Sequence, residues 1–505
     1  MNRKIRRKLA SEKRKIERRL EQAVRPNEAG PVMRGNGIRY ELADKVAAIA
    51  CGGIGAIHRL VRQLGLQRKI DDHLQLFKIH HPYFESDHVL NIAYNALCGG
   101  RVLEDIEVRR QDRVFLDALG AESIPDPTTA GDFCRRFDAE DIDALMEAIN
   151  EARLDVWRST PDMVKGRTAK IDADGSMIPT TGEKKEGMDI SYKGTWGYHA
   201  LVVSLENTGE PLFIANRPAS RPSHEGVAPY FDRAAALCMK AGFRDVLLRG
   251  DTDFSLTENF DRWTGTGVRF VFGFDVNPKA TAWAESAPEA FYELRERVER
   301  VIKTKPRARG PNVKAEVVRQ RGFKNMRLNV EHLVEFPYKP GKCKETYRMV
   351  AVRKNITVHQ GDQALFDEIR YHFYITNDKK LTMREVVEEA HQRCDQENLI
   401  EQLKNGPRAL HAPVNTLNAN WAYMVMCSLA WSLKAWLALS LPITPRWRSQ
   451  HVQERARLLR MEFRTFLQAL ILVPAQIVRR GRRLIYRLLA WNPWQPVFLR
   501  LVDST

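Results

Sequence analysis

Three acids far apart in the chain stand where carboxylates can do chemistry. Asp174 and Asp251 fall at the ends of short β-patterned runs, 169–174 and 246–254. Glu397 lies in a helix-favouring run that opens near Met383 and stops at the Asn405, Gly406, Pro407 breaker. They are 77 and 146 residues apart, so only the fold can gather them. Gathered, they make an all-oxygen site for a hard cation, Mg2+ or Mn2+. Two such ions clamp the attacking and leaving oxygens of an in-line phosphodiester displacement. Steps of three, four and seven residues return to one helix face, which lines up Arg393, Glu397, Ile400 and Lys404 with the carboxylate between two cations. Arg393 and Lys404 would then grip the non-bridging phosphate oxygens. A solvated charged face gives the same spacing, and strand-end aspartates are commonly turn formers. Asp172 and Asp253 compete for the two aspartate roles; alternation puts Asp172 and Asp174 on one strand face, so periodicity does not choose.

The composition says what such a site would meet. A net charge of +17 with a pI near 9.6 points to a polyanion, nucleic acid first. At 505 residues the chain is too long for one small core, and two or three domains are expected. Seven scattered cysteines show no zinc or disulfide spacing, which fits a reducing cytosol. The N-terminus has charge but no apolar signal core, so a cytoplasmic, nucleoid-associated location is expected. The apolar run 421–441 is long enough to span a membrane, but Lys434 inside it and basic flanks favour a buried core helix and no membrane partner.

The elements that must position the acids can be taken in order. Residues 1–37 read as a basic arm, with eleven Lys/Arg against three Glu in the first 25, and a linker at Gly30, Pro31, Gly35 and Gly37. Residues 38–165 read as an all-α N-terminal domain for DNA binding or dimerisation, with a helix at 130–137 capped by Thr128 or Thr129. Strands follow at 169–174, 198–205 and 211–217, then a helix at 227–241 and the buried strand that delivers Asp251. That is an α/β core with acids at strand tips, within a catalytic domain over 166–440. A β-rich insertion occupies about 273–377, with a Lys/Arg/Pro/Gly-rich loop at 303–314. The tail, 441–505, reads as basic and helical, with one helix over 463–478.

The order and spacing of these residues resemble bacterial insertion-sequence DDE transposases of the IS4-like superfamily, closest to the IS1380 family, over roughly 165–490. The superfamily signature Tyr-x2-Arg-x3-Glu-x6-Lys matches at Arg393, Glu397 and Lys404, with Ala390 at the Tyr position. The first acid in such enzymes precedes Gly/Ala and Thr/Ser; Asp174, Gly175 and Ser176 fit, which favours Asp174 over Asp172. The second lies in an Arg-x-Asp-x-Gly-Phe-like motif; Arg249, Asp251 and Phe254 fit, with Asp253 in place of Gly. The resemblance implies an RNase H-like core with a mostly β insertion, and cutting at terminal inverted repeats followed by joining to target DNA. It also implies two Mg2+ ions per site, with Mn2+ substituting, held by Asp174, Asp251 and Glu397. Double-stranded DNA and a homodimer in a synaptic complex are the implied partners. Rival readings of the same residues are a basic DNA-binding protein or decayed transposase that does not cut, and an RNase H-fold nuclease that does not join.

Overall fold

The basic N-terminal segment is helical: α1 (Arg3–Gln22) keeps most of its side chains, Ile5 and Leu20 included, in solvent. The computed structural model describes residues 3–22, 38–40, 46–80, 82–295, 313–481, 483–489 and 491–503. The expected linker at 30–37 and most of the loop at 303–314 lie outside these residues.

A short strand, β1 (Ala48–Ile49), precedes a run of helices: α2 (Ile54–Gln63), α3 (Leu66–His73), α4 (Glu85–Leu97), α5 (Ile106–Arg110) and α6 (Arg113–Leu119). Then come α7 (Pro127–Cys134), α8 (Ala139–Arg158) and α9 (Pro161–Val164). β1 was not anticipated in a region read as helical throughout. The cap of α7 also differs from the expected Thr128 or Thr129: the Asp126 carboxylate accepts from the Thr129 amide at 2.9 Å, and Pro127 fills the first helical position.

The sheet that carries the acids begins with β2 (Thr168–Pro179), β3 (Asp189–Ile190), β4 (Trp196–Leu205) and β5 (Glu210–Ala215). Next come α10 (Val227–Ala241), β6 (Asp245–Gly250), α11 (Phe260–Gly265) and β7 (Arg269–Phe274). The spatial order is β5, β4, β2, β6, β7: β4 is antiparallel to both β5 and β2, and β6 and β7 run parallel to β2. Parallel neighbours need a crossover, and α10 supplies it between β5 and β6, lying on β2, β4 and β6.

The expected β insertion contains α12 (Pro278–Ser286), β8 (Glu293–Leu294) and α13 (Val313–Gln320), then β9 (Lys324–Tyr338), β10 (Tyr347–Gln360) and β11 (Gln363–Thr376). Its long antiparallel strands continue the same sheet, because β11 pairs with β7 from Phe373 to Thr376.

The chain then returns through α14 (Met383–Gln392) and α15 (Cys394–Asn405) to α16 (Leu417–Leu439). α16 has the length and apolarity to cross a membrane, but its apolar window is wholly buried, with α4, α8, α17 (Arg448–Leu459) and β5 around it. Lys434 in its middle donates to the Leu459 carbonyl at 2.9 Å and sits over the Trp431 ring. Burial brings its ammonium down to about 7. Glu210 on β5 is fully buried, accepting from Arg153 Nε and Trp157 Nε1 of α8, both at 3.0 Å, and from Trp436 Nε1 of α16 at 2.7 Å. One carboxylate thus ties the N-terminal helices to the sheet and to α16.

The expected helix over 463–478 is a correction. α18 (Phe463–Phe466) and a wide turn end at Ile471, and a hairpin follows, β12 (Ala475–Arg480) and β13 (Arg483–Leu488), before α19 (Gln495–Asp503). β12 pairs with β1, so the tail is not wholly helical. A partner strand more than 400 residues upstream decides this, and no local periodicity reports it.

Candidate active site

The parallel register sets the geometry. Asp172 on β2 pairs with Arg249 on β6, the last pair of that parallel ladder, so two residues further on Asp174, still within β2, and Asp251, just past the end of β6, stand at corresponding positions of neighbouring strands. β6 ends at Gly250, and the Asp251 carboxylate accepts from the Asp253 amide at 3.1 Å, opening a single turn over Thr252–Phe254. The Asp174 carboxylate accepts from the Gly175 amide at 2.8 Å. A Cβ at Gly175 would lie 2.6 Å from His199 Nε2, so the absent side chain is what lets the imidazole from β4 lie against β2 at this point.

Asp172 and Asp174 share a face but not an environment. Asp172 is buried and held bidentately by Arg249 Nε and Nη2, both at 2.7 Å. Arg249 Nη1 donates to Glu389 at 2.9 Å, and Lys170 reaches the same Glu389 at 2.7 Å and Gln392 at 3.2 Å. Burial alone would lower the Arg249 guanidinium, but Asp172 and Glu389 outweigh it and hold it above its ordinary value. This network clamps α14 across β2 and β6 and so fixes where Arg393 emerges. Asp253 is exposed.

The single helix expected from Met383 to Asn405 breaks at Arg393 into α14 and α15. α14 starts with a capping box between Thr382 and Glu385. α15 is locked by Gln396, which is buried, donates to the Val202 carbonyl on β4 at 2.9 Å and accepts from the Ser204 hydroxyl. Arg393 lies between two acids, 3.4 Å from Asp174 and 3.9 Å from Glu397. The expected bracketing of Glu397 by two cations holds on one side only. Lys404 turns toward β2 and donates to the Met177 carbonyl at 2.8 Å. Burial lowers its ammonium. Glu397 keeps 64% of its side chain in solvent.

Electrostatics couple the acids. Burial raises the Asp174 carboxyl to about 6, Arg393 opposes that rise, and Asp251 and Glu397 add to it. Burial also raises Asp251, with Arg393 opposing and Asp253 and Asp275 adding. Several carboxylates therefore surround one guanidinium, a surplus of negative charge that favours a further cation. Their oxygens suit a hard divalent ion. As placed, no three His, Cys, Asp or Glu among the described residues converge into a ready-made metal cage.

Several contributors were not singled out from sequence. Glu389, Gln392 and Gln396 occupy an ordinary-looking polar helix, and only their partners on β2, β4 and β6 give them meaning. Ala390, at the expected tyrosine position, packs against the apolar cluster of Val386, Val387 and Leu247. The Tyr374 hydroxyl on β11 bonds His391 Nε2 at 3.1 Å, and Arg393 acts on it electrostatically.

No curated protein matches the sequence. Seven chains of solved structure match it. One is in the cryo-EM structure of a piggyBac transposase synaptic complex with hairpin DNA, at 9% identity and a TM-score of 0.34, covering 83% of this chain and 81% of that one. Residues 47–504 match the family described as transposase DDE domain group 1, and with nearly its whole length inside that match the chain belongs to this transposase family.

Proposed function

We propose that the protein is a DNA transposase of the IS4-like superfamily, closest to its IS1380 family. In this reading it cuts at the terminal inverted repeats of an insertion sequence and joins the freed ends to target DNA. One observation carries it: Asp174 within β2 and Asp251 just past the end of β6 occupy corresponding positions on adjacent parallel strands, Gln396 clamps α15 on β4, and Arg393 is shared by Asp174 and Glu397. The strand order, three antiparallel followed by two parallel to the first, supports an RNase H-like core. Asp174, Asp251 and Glu397 would hold Mg2+, two ions per site, with Mn2+ as a substitute. When bound, such a pair supplies an activated water or 3′-hydroxyl and charge compensation for the departing 3′-oxygen.

The chain's own residues do the rest. The Arg249–Asp172 pair and Gln396 hold the acids in place without touching DNA. Arg393 presents a planar fork to a phosphate, and Lys404 keeps two ammonium protons beyond the one given to Met177. The +17 charge supports double-stranded DNA as partner, and bringing two ends together calls for a homodimer in the synaptic complex. Residues 38–165 serve DNA binding or dimerisation, 166–440 catalysis, and the setting is the cytoplasmic nucleoid.

The test is cleavage of duplexes carrying the inverted repeats that flank this reading frame, in Mg2+, Mn2+ or chelator. The expected result is metal-dependent cleavage with joined products, abolished by Glu397→Ala while DNA binding persists. Free nicks without joined products support the nuclease reading, and binding without cutting supports the decayed one. Undiminished cleavage by the Glu397 variant removes that residue from the mechanism.

A further inference from the structure

Beyond Asp174, β2 continues for five residues to Pro179, about 16 Å at 3.3 Å per residue. There it meets a cleft of about 1160 Å3. Its walls include Arg101, Thr180, Lys185, Trp196, Arg408 and His411. The site is built around Arg408, the non-glycine residue at positive φ (+59°) among the described residues. An arginine holds that left-handed backbone only when its surroundings impose it. Here the Pro407 carbonyl accepts from the Cys427 thiol at 2.9 Å, the Ala409 amide donates to the Leu403 carbonyl at 2.8 Å, and Ala409 and Leu410 are buried. The strained turn delivers a guanidinium whose Nε is buried without a hydrogen-bond partner.

The charge around Arg408 is one-sided. His411 feels Arg408, Lys404 and Arg101 at once, its Nδ1 is also buried without a partner, and burial followed by those cations brings it down to about 4. It is therefore a neutral imidazole among three cations. The Lys185 ammonium is engaged by the Ala412 carbonyl. Neither Arg101 nor Arg408 forms an ion pair among the described residues. Among the described residues lining the cleft, the one carboxylate is the exposed Glu183. Lys404, anchored on Met177, stands between this cleft and Arg393. Arg393, Lys404 and the Arg101–Arg408 pair thus mark out one basic track along β2. A length of 16 Å corresponds to about five nucleotides at 3.4 Å per nucleotide of one strand.

We propose that this cleft is a phosphate anchor for the DNA strand about five nucleotides from the cut, with Arg101 and Arg408 pairing with backbone phosphates. Guanidinium forks suit that contact because they donate two parallel hydrogen bonds to phosphate oxygens. The inference rests on the transposase reading for the position of the cut, but it is tested through binding, which needs no cleavage.

The experiment measures binding of the full chain to duplexes that extend ten or two base pairs past the cleavage site, across a salt series. Each phosphate contact contributes about 0.9 to the slope of log affinity against log salt. Arg101→Gln with Arg408→Gln is expected to flatten the slope by about 1.8 on the long duplex and to leave it unchanged on the short one. Arg408→Lys is expected to retain most of the slope. Arg408→Gly, which relieves the positive φ, should keep a Tm at least equal to wild type while losing about 0.9 of slope, separating lost contact from lost fold. An unchanged slope in the double variant on the long duplex overturns the anchor while leaving the transposase reading intact. Equal losses on both duplexes overturn the placement along β2, and tight binding of a free mononucleotide in the cleft would make it a small-ligand site.

Discussion

Asp172→Asn and Asp174→Asn, two residues apart on one strand face, should move stability in opposite directions. Asp174 is raised from the usual 3.8 to about 6, chiefly by burial. The folded state therefore holds that proton more tightly than the unfolded chain. Between pH 4 and 6 the folded state binds more protons, so stability falls as pH rises through this window and the full penalty applies above it. Raising the carboxyl from 3.8 to about 6 corresponds to about 3 kcal/mol. That figure is already net of the attraction to Arg393 at 3.4 Å, and partial exposure screens it, so the asparagine variant should gain about 1–3 kcal/mol at pH 7.5 and little at pH 4. Asp172→Asn removes the bidentate partner of a buried guanidinium and should cost about 3–5 kcal/mol. Urea unfolding at the two pH values measures both, and metal-dependent cleavage is read on the folded proteins. Cleavage should vanish in the Asp174 variant and persist, in proportion to the folded fraction, in the Asp172 variant. A stable, inactive Asp172 variant beside a destabilised, active Asp174 variant would refute the assignment.

Two further outcomes follow from buried charges. Glu210→Ala strands Arg153 in the core and should cost about 3–5 kcal/mol in urea unfolding, with part recovered in the double variant that adds Arg153→Met. Lys434, brought down to about 7 from 10.5, binds fewer protons folded than unfolded between those values, so its contribution to stability rises with pH there. That rise amounts to as much as about 5 kcal/mol, and Lys434→Met should flatten the difference in unfolding free energy between pH 7 and 10.

What the sequence revealed depended on how local the cause was. The strand that ends beside Asp251 and the buried α16 follow from periodicity and composition, but β2 does not stop at Asp174: pairing with β4 carries it through Gly175 to Pro179, and no local pattern reports that partner. Alternation leaves Asp172 and Asp174 equivalent, and what distinguishes their surroundings is a partner of Asp172, Arg249, 77 residues away. Lys404 has the helical spacing to flank Glu397, yet the Met177 carbonyl draws it aside. The break at Arg393 is hidden because both flanking helices have good helix-forming residues; it comes from clamping α14 on Arg249 and Lys170 and α15 on Val202. The hairpin 475–488 looks helical because its strand partner, Ala48–Ile49, lies at the other end of the chain.

That last pairing bears on how the protein is made. β1 has no neighbour until residues near 476 have left the ribosome, and Arg153 and Glu210 lack their tryptophan at 436 for most of synthesis. A polypeptide cut short by a frameshift or an early stop would leave a charged core open and a strand edge bare. Such fragments are expected to be degraded faster than the full-length protein, which a pulse-chase of truncated chains would measure.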